Sequence, residues 1–138
     1  AVLTLIHDVI LVTGIYAMLG HIFGLQVNSV FIVALLTVIG YSVNDTIVIF
    51  DRIRENQIKF PDNNYAANIN VSINESIIRS LGTSLTTLLV LFSMLILGGA
   101  SLREFIVVLI LGVIVGTYSS IFIASQFLII WEEGIKKD

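Results

Sequence analysis

Four apolar stretches, each about as long as a membrane-spanning helix, constrain this sequence more than any other feature. They cover residues 2–19, 28–50, 77–97 and 105–131. A helix that crosses the hydrocarbon core of a bilayer needs about 20 residues, and it satisfies its own backbone hydrogen bonds there. The composition agrees, because 57% of the residues are hydrophobic and only 12% are charged. The sequence therefore predicts an all-α integral membrane protein with four transmembrane helices in two antiparallel hairpins.

The whole chain, residues 1–138, is predicted to form a single transmembrane domain with one extended loop, 51–76. The first apolar stretch does not resemble a signal peptide, because it has no basic start and is interrupted by His7 and Asp8. The sequence opens on Ala-Val-Leu-Thr without a methionine. We therefore expect it to be a piece of a longer protein.

Basic residues are concentrated at one end of the predicted helices. The connection between the first two stretches has no lysine or arginine, and the connection between the last two has only Arg103 at its edge. Cytoplasmic segments of membrane proteins are enriched in lysine and arginine. The pattern therefore predicts that the middle loop and both termini lie in the cytoplasm. The basic residues at this end are Arg52, Arg54, Lys59, Arg79, Lys136 and Lys137.

The second apolar stretch contains two polar residues, Asn44 and Asp45. Asp45 precedes the first charged residue of the loop, Asp51, by six positions, or about 9 Å of helix. A carboxylate inside the membrane costs about 2.5–3.5 kcal/mol unless it is paired, hydrated or protonated. Such an acid is typical of a functional site. The alternative is a side chain that reaches the headgroups, which a short aspartate does poorly.

Arg79 is the candidate partner of Asp45. It lies just past the same predicted interface on the third stretch, so the two side chains are expected at similar depth. A nearby guanidinium favours the charged carboxylate, whereas burial favours the neutral acid. These two opposing effects on the charge of the carboxyl group are typical of a group that gains and loses a proton. We therefore predict that Asp45 and Arg79 form an ion-coupling pair. The alternative for Arg79 is a basic anchor whose long side chain extends to the headgroups.

Hydroxyl residues follow Arg79 at helical spacing, namely Thr83, Thr86 and Thr87. We interpret them as a polar stripe that supports the pair by carrying water or protons. Small hydroxyl residues also let helices pack closely and hydrogen-bond across one another. The sequence does not decide between these two interpretations.

Asp8 is a second candidate for ion coupling, and the adjacent His7 is interpreted as a hydrogen-bonded core residue. Neighbouring residues on a helix point about 100° apart, so His7 and Asp8 are poorly placed to bind one metal ion. Gly112 and Gly116 form a Gly-x-x-x-Gly pattern, which indicates close helix packing.

The remaining chemistry is sparse. The sequence contains no nucleophile with its base, no phosphate-binding glycine loop, no metal-ligand cluster and no cysteine. We therefore expect neither enzymatic activity nor a cofactor or metal, and the few local charges do not predict nucleic-acid binding. A charged cytoplasmic motif follows the second stretch and is expected to extend that helix or to contact a partner. Its members are Asp51, Arg52, Arg54 and Glu55.

Four segments resemble the SecF family of protein-export membrane subunits. GYSVNDTIVIFDRIREN (40–56) is similar to the signature of that family, and NESIIRSLGTSLTTLLV (74–90) is similar to the start of its next helix. LIHDVILVTG (5–14) and GVIVGTYSSIFIAS (112–125) resemble the preceding and the last helices. The segments occur in family order and span nearly the whole chain.

This resemblance implies the last four of six membrane helices, without the periplasmic domain that the family carries between the first two. It further implies that the proton gradient assists export of polypeptides across the cytoplasmic (inner) membrane. The implied partners are a SecD-like subunit, the SecY translocation channel complex, the translocating polypeptide and the lipid bilayer. The family is related to proton-driven RND-type transporters, and the resemblance implicates Asp45 and Arg79 in proton conduction. Two alternatives are a self-sufficient small proton- or sodium-coupled transporter and a structural membrane scaffold.

Overall fold

A computed structural model describes residues 1–135, and all of its regular structure is helical. Lys136 and Lys137 of the predicted basic tail lie outside the described residues. The helices are α1 (Val2–Phe23), α2 (Ser29–Lys59), α3 (Tyr65–Leu97), α4 (Arg103–Tyr118) and α5 (Ala124–Ile135). A short 3₁₀ turn, Ala100–Leu102, precedes α4, and one π-helical turn, Ser119–Ile123, joins α4 to α5.

Four segments are long and apolar enough to cross a membrane. They are Val2–Phe23, Ser29–Lys59, Tyr65–Leu97 and Ala100–Ile135, the last combining the 3₁₀ turn, α4, the π-helical turn and α5. The predicted all-α fold with four membrane-length helices is therefore confirmed. Most of the large apolar side chains on their outer faces are exposed, as expected of surfaces in contact with lipid.

The helix ends are set by local chemistry. Gly24 ends α1 in the left-handed region with φ 72°, and its N–H donates to the carbonyl of Gly20. The Asn28 side chain accepts a hydrogen bond of 3.0 Å from the N–H of Phe31 and caps α2. The same side chain donates to Glu104 at 2.8 Å, which ties the start of α2 to the start of α4. The turn that contains Pro61 separates α2 from α3.

The segment between the second and third spans differs from the sequence expectation. The sequence predicts a loop over 51–76 whose first residues extend the second helix. In the structure α2 continues to Lys59 and α3 begins at Tyr65, so that only 60–64 connect them. Two features keep these polar stretches helical. Apolar side chains of both helices meet beyond the predicted interface, as at Ile53 and Ile69, and polar contacts join the helices as described below.

The interior is arranged in three layers along α2. One apolar cluster includes Phe31, Ala34 and Val38, and another at the opposite end includes Ile49 and Ile53. Between them α2 buries Ser42 and Thr46. Since residues four apart share a face of a helix, a single stripe of α2 supplies all three layers. The polar residues thus occupy the middle of the bundle.

Gly112 and Gly116 bring α4 against this stripe of α2, and α2 packs more extensively against α4 than against any other helix. A Cβ atom on Gly112 would overlap the Val38 side chain, and one on Gly116 would lie 3.3 Å from the Cβ of Ser42. The absence of side chains at both positions permits this close approach.

Candidate functional site

Asp45 is a residue of α2, and its partly buried side chain lies against α3. Its Oδ1 accepts a hydrogen bond of 3.1 Å from the hydroxyl of Ser80. Its Oδ2 is buried and has no hydrogen-bond partner among the described residues. An ionised carboxylate can accept about four hydrogen bonds, so this carboxyl group has fewer partners than its charged form can use.

Arg79 lines the same small cavity as Asp45, although no ion pair joins the two side chains within residues 1–135. The cavity has a volume of about 90 Å³. Since liquid water occupies about 30 Å³ per molecule, the cavity has room for water between the carboxyl and guanidinium groups. Its other lining residues are Tyr41, Asn44, Val48, Ser80 and Thr83.

A larger polar cavity of about 450 Å³ adjoins the first at the α2–α3 end of the bundle. Val48 and Arg79 line both cavities. The two cavities are therefore neighbours between α2 and α3, beside Arg79. The larger cavity is also lined by Asp51, Arg52, Glu55, Glu75 and Ser76.

Charged and polar side chains join α2 to α3 beside this cavity. Arg52 binds Glu75 at 2.8 Å and Glu55 at 2.6 Å. The amide nitrogen of Asn56 donates to Ser72 and to Glu75, both at 2.9 Å. We call these five residues the helix-end network. Of the predicted cytoplasmic motif, Arg52 and Glu55 belong to it, whereas Asp51 and Arg54 are exposed on the surface of α2.

The middle layer contains a seam of buried hydroxyl groups. Thr46 and Ser120 lie 2.8 Å apart, which links α2 to the π-helical turn. Ser84 of α3 is hydrogen-bonded to Thr117 of α4, and Tyr41 reaches Ser84 at 3.1 Å. Because a hydroxyl group both donates and accepts, these side chains provide hydrogen-bond partners for one another while they are shielded from lipid.

The three predicted threonines of α3 are placed differently from these hydroxyls. Thr83 lines the Asp45 cavity, but its hydroxyl, like those of Thr86 and Thr87, donates to backbone carbonyls of α3. Thr86 is exposed on the outer surface. At this level of α3 the hydroxyls hydrogen-bonded to α2 are those of Ser80 and Ser84, since a shift of one position rotates a side chain by about 100°.

Asp8 is buried between α1 and α2, with 1% of its surface exposed. Its Oδ2 accepts a hydrogen bond from the hydroxyl of Ser42. Its Oδ1 lies 3.2 Å from Nδ1 of His7, and 35% of the His7 side chain is exposed. The structure thus contains two acids within the predicted membrane spans, one on α2 hydrogen-bonded to α3 and one on α1 hydrogen-bonded to α2.

No group of three or more histidine, aspartate or glutamate side chains within residues 1–135 could hold a metal ion. Asp45 and Asp8 are single carboxyl groups with hydroxyl partners, and each has one basic side chain nearby, Arg79 and His7 respectively.

Comparison with known proteins shows the family of the chain. Residues 1–134 match the model of the family described as "Protein export membrane protein SecD/SecF, C-terminal". The chain belongs to the SecD/SecF family. It is 45% identical over 132 residues to the protein translocase subunit SecF of Thermobaculum terrenum, and 52% identical over 129 residues to that of Petrotoga mobilis.

The fold agrees with solved SecDF structures. A crystal structure of SecDF in a super-membrane-facing form has a TM-score of 0.90 and 45% identity over 99% of this chain. A structure of Thermus thermophilus SecDF, described as a translocon-associated membrane protein, has a TM-score of 0.88 over 96% of the chain. The resemblance in the four sequence segments is confirmed, and the chain is a multi-pass membrane protein.

The chain corresponds to only part of these relatives. It covers 42% of the Thermobaculum SecF and 41% of the Petrotoga SecF, and 18% of either SecDF chain. The SecF relatives are named protein translocase subunits rather than enzymes.

Sequence reasoning missed three buried polar residues of α2, namely Ser42, Thr46 and Asn56. All three are at most 2% exposed. The available signal was their spacing, because Ser42 and Thr46 are four apart and continue the stripe of Ala34 and Val38.

Proposed function

We propose that this chain is the membrane core of a SecF-type subunit that couples the proton gradient to polypeptide export across the cytoplasmic membrane. The observation that carries the proposal is the Asp45 site. It consists of a partly buried carboxyl group with one unpartnered oxygen, in a cavity that it shares with Arg79. We infer the substrate, a translocating polypeptide, from the family to which the chain belongs.

The coupling step begins with the charge of Asp45. While Asp45 is ionised, its attraction to Arg79 holds α2 and α3 together across the cavity, because opposite charges interact strongly away from bulk water. Protonation removes that attraction and leaves the neutral acid hydrogen-bonded to Ser80. The balance between the two packing arrangements of α2 and α3 then shifts. The two adjoining cavities provide the route by which the proton reaches the α2–α3 end.

The outer surface near the site supports a protein partner. Asn44 and Arg79 are exposed, and neither makes a hydrogen bond through its side chain within residues 1–135. Polar side chains in contact with hydrocarbon are costly. We infer that a SecD-type subunit covers this face of α2 and α3, and that the assembly acts with the SecY channel complex.

We also propose that the α2–α3 end and both termini face the cytoplasm. Arg52, Arg54 and Lys59 all lie close to the C-terminal end of α2. Cytoplasmic segments carry most of the lysine and arginine of membrane proteins, and Arg103 is the one such residue at the opposite end of the described chain.

The decisive experiment measures proton uptake by vesicles that contain the complete subunit together with a SecD-type partner. Asp45→Asn keeps the size of the side chain but cannot release a proton. We expect an imposed pH gradient to drive proton uptake with the unmodified protein, and only background uptake with Asp45→Asn. Export of a model polypeptide by the same vesicles with the SecY complex should fall in parallel.

The matched control is Asp62→Asn, in the exposed turn between α2 and α3, which should leave both rates unchanged. Normal uptake and export by a folded Asp45→Asn protein would contradict the proposal and favour a structural scaffold. If uptake depended on a sodium gradient and not on the pH gradient, the coupling ion would be sodium rather than the proton.

A further inference from the structure

Asp8 is the one carboxylic acid that is fully buried within residues 1–135. It lies near the start of α1 and is hydrogen-bonded to Ser42 of α2, three residues before Asp45. The proposed coupling step uses neither Asp8 nor its partner His7. A buried acid of this kind requires its own physical explanation, because an uncompensated charge inside a protein is very costly.

The charge of Asp8 has one available partner. No lysine or arginine forms an ion pair with it in the described chain, and the basic group within reach is Nδ1 of His7, 3.2 Å from Oδ1. One proton makes the pair neutral, either as acid and imidazole or as carboxylate and imidazolium. In passing between these forms, the O–H bond of Asp8 breaks as the N–H bond of His7 forms. Loss of that proton would leave a buried negative charge.

The Ser42 hydroxyl can adjust to either form of Asp8. The helices packed against α1 bury Ser42 and Thr46 from α2, Gly116 from α4, and Ser119 and Ser120 from the π-helical turn. None of these groups ionises, and the hydroxyls can either donate or accept.

A further hydroxyl accompanies these. Thr4 lies one turn before Asp8 on α1, is 1% exposed, and has no hydrogen-bond partner for its Oγ1. A buried hydroxyl without a partner destabilises the fold. The polar layer thus has unused hydrogen-bonding capacity on the face of α1 that carries Asp8.

The helix α2 connects this pair to the transport site. Ser42, which donates to Asp8, lies three residues before Asp45, which accepts from Ser80 of α3, so the two bonds are made by neighbouring positions of α2. Tyr41 and Asp45 are the ionisable residues at this level of α2, and both face α3. A rotation or shift of α2 therefore changes the hydrogen bonds of both acids together.

We propose that Asp8 and His7 form a second proton-binding site, coupled to Asp45 through α2. The link to transport rests on the proposed function. Proton binding at Asp8 does not depend on it.

Infrared difference spectroscopy of the complete protein in lipid nanodiscs tests the proposal, because protonation of a carboxyl group produces a distinct C=O band. The experiment uses Asp45→Asn as the background, so that Asp45 contributes no signal. We expect a pH change to produce a carboxyl band that disappears when Asp8→Asn is added and persists when Asp62→Asn is added. His7→Gln should alter the pH at which the band changes, because the imidazole no longer shares the proton.

Asp8→Asn retains an oxygen that can accept the hydrogen bond from Ser42, so we expect this variant to fold. If it does not fold, His7→Gln gives a second test. A spectrum without any Asp8-dependent band, or a band insensitive to His7→Gln, would overturn the proposal. The proposed function would still stand if Asp45→Asn abolished proton uptake, even though the second site had been ruled out. Conversely, an Asp8-dependent band with normal uptake in Asp45→Asn would support the second site and contradict the proposed function.

Discussion

At the scale of single residues, the two oxygens of Asp45 have different environments, and this difference matters for a group that changes charge. Oδ1 has a hydroxyl donor in Ser80, whereas Oδ2 is buried without a donor. A neutral acid needs fewer acceptor contacts than a carboxylate and offers one O–H of its own. The site can therefore hold both forms, which a fully hydrogen-bonded carboxylate could not do as readily.

Gly112→Ala provides a prediction about the contact between α4 and α2. The added Cβ would overlap the side chain of Val38, and overpacking of this kind costs about 1–3 kcal/mol. We expect the free energy of unfolding in bicelles to fall by that amount. Denaturant titration, followed by the fluorescence of Trp131, measures it.

Gly40→Ala is the matched control, because a Cβ at that helical position would meet no atom within 4 Å. It should leave the free energy of unfolding unchanged or raise it by up to about 1 kcal/mol, since alanine favours helix more than glycine. Val38→Ala should partly restore the Gly112→Ala protein. Equal effects of Gly112→Ala and Gly40→Ala would contradict the packing argument.

The residues that sequence reasoning identified most readily were the charged ones. An aspartate in an apolar stretch carries a large energetic cost, so Asp45 and Asp8 stand out without any structure. Ser42 and Thr46 carry little cost in a helix and give no comparable signal. Which hydroxyls of α3 face α2 depends on the rotation of that helix, and Thr83 and Ser84 differ by one position only.

At the scale of helices, α2 and α3 extend well beyond the length needed to cross a bilayer, with 31 and 33 residues. The expected loop over 51–76 was drawn from its charges and its proline-containing turn. Those residues form helix because each helix supplies partners to the other, and no local pattern shows such contacts. The membrane-length spans were predictable from hydrophobicity alone, whereas their polar extensions depend on tertiary packing.

Asn56→Ala tests the helix-end network. Asn56 is 1% exposed and donates to Ser72 and Glu75. Its removal leaves both partners short of a donor, at a cost of about 1–3 kcal/mol for buried groups. We expect faster amide hydrogen exchange in 52–59 and 65–75, with exchange in the membrane spans unchanged.

Asn70→Ala is the control, because Asn70 is exposed on the same part of α3 and should not alter exchange. Arg52→Gln should have a smaller effect than Asn56→Ala, since exposed ion pairs contribute about 0–1 kcal/mol. If Asn56→Ala left exchange at both helix ends unchanged, the network would not be what holds these extensions together.

At the scale of the whole molecule, the distribution of basic residues defines two ends with different chemistry. The α2–α3 end carries the helix-end network and the larger polar cavity, which neighbours the cavity of Asp45. If this end faces the cytoplasm, the cavity is the exit for protons that move down their gradient. If it faced the other side, the same cavity would be their entrance, so the orientation fixes the order of events at Asp45 and Arg79.

Site-directed labelling tests this orientation directly, because the sequence contains no cysteine. Asn63→Cys places a single thiol in the turn between α2 and α3, and Ser101→Cys places one at the opposite end. We expect a membrane-impermeant maleimide added outside intact cells to label Ser101→Cys and not Asn63→Cys. Inverted membrane vesicles should show the reverse pattern. Labelling of Asn63→Cys from outside would reverse the proposed orientation, and the larger cavity would then deliver protons to Asp45 instead of releasing them.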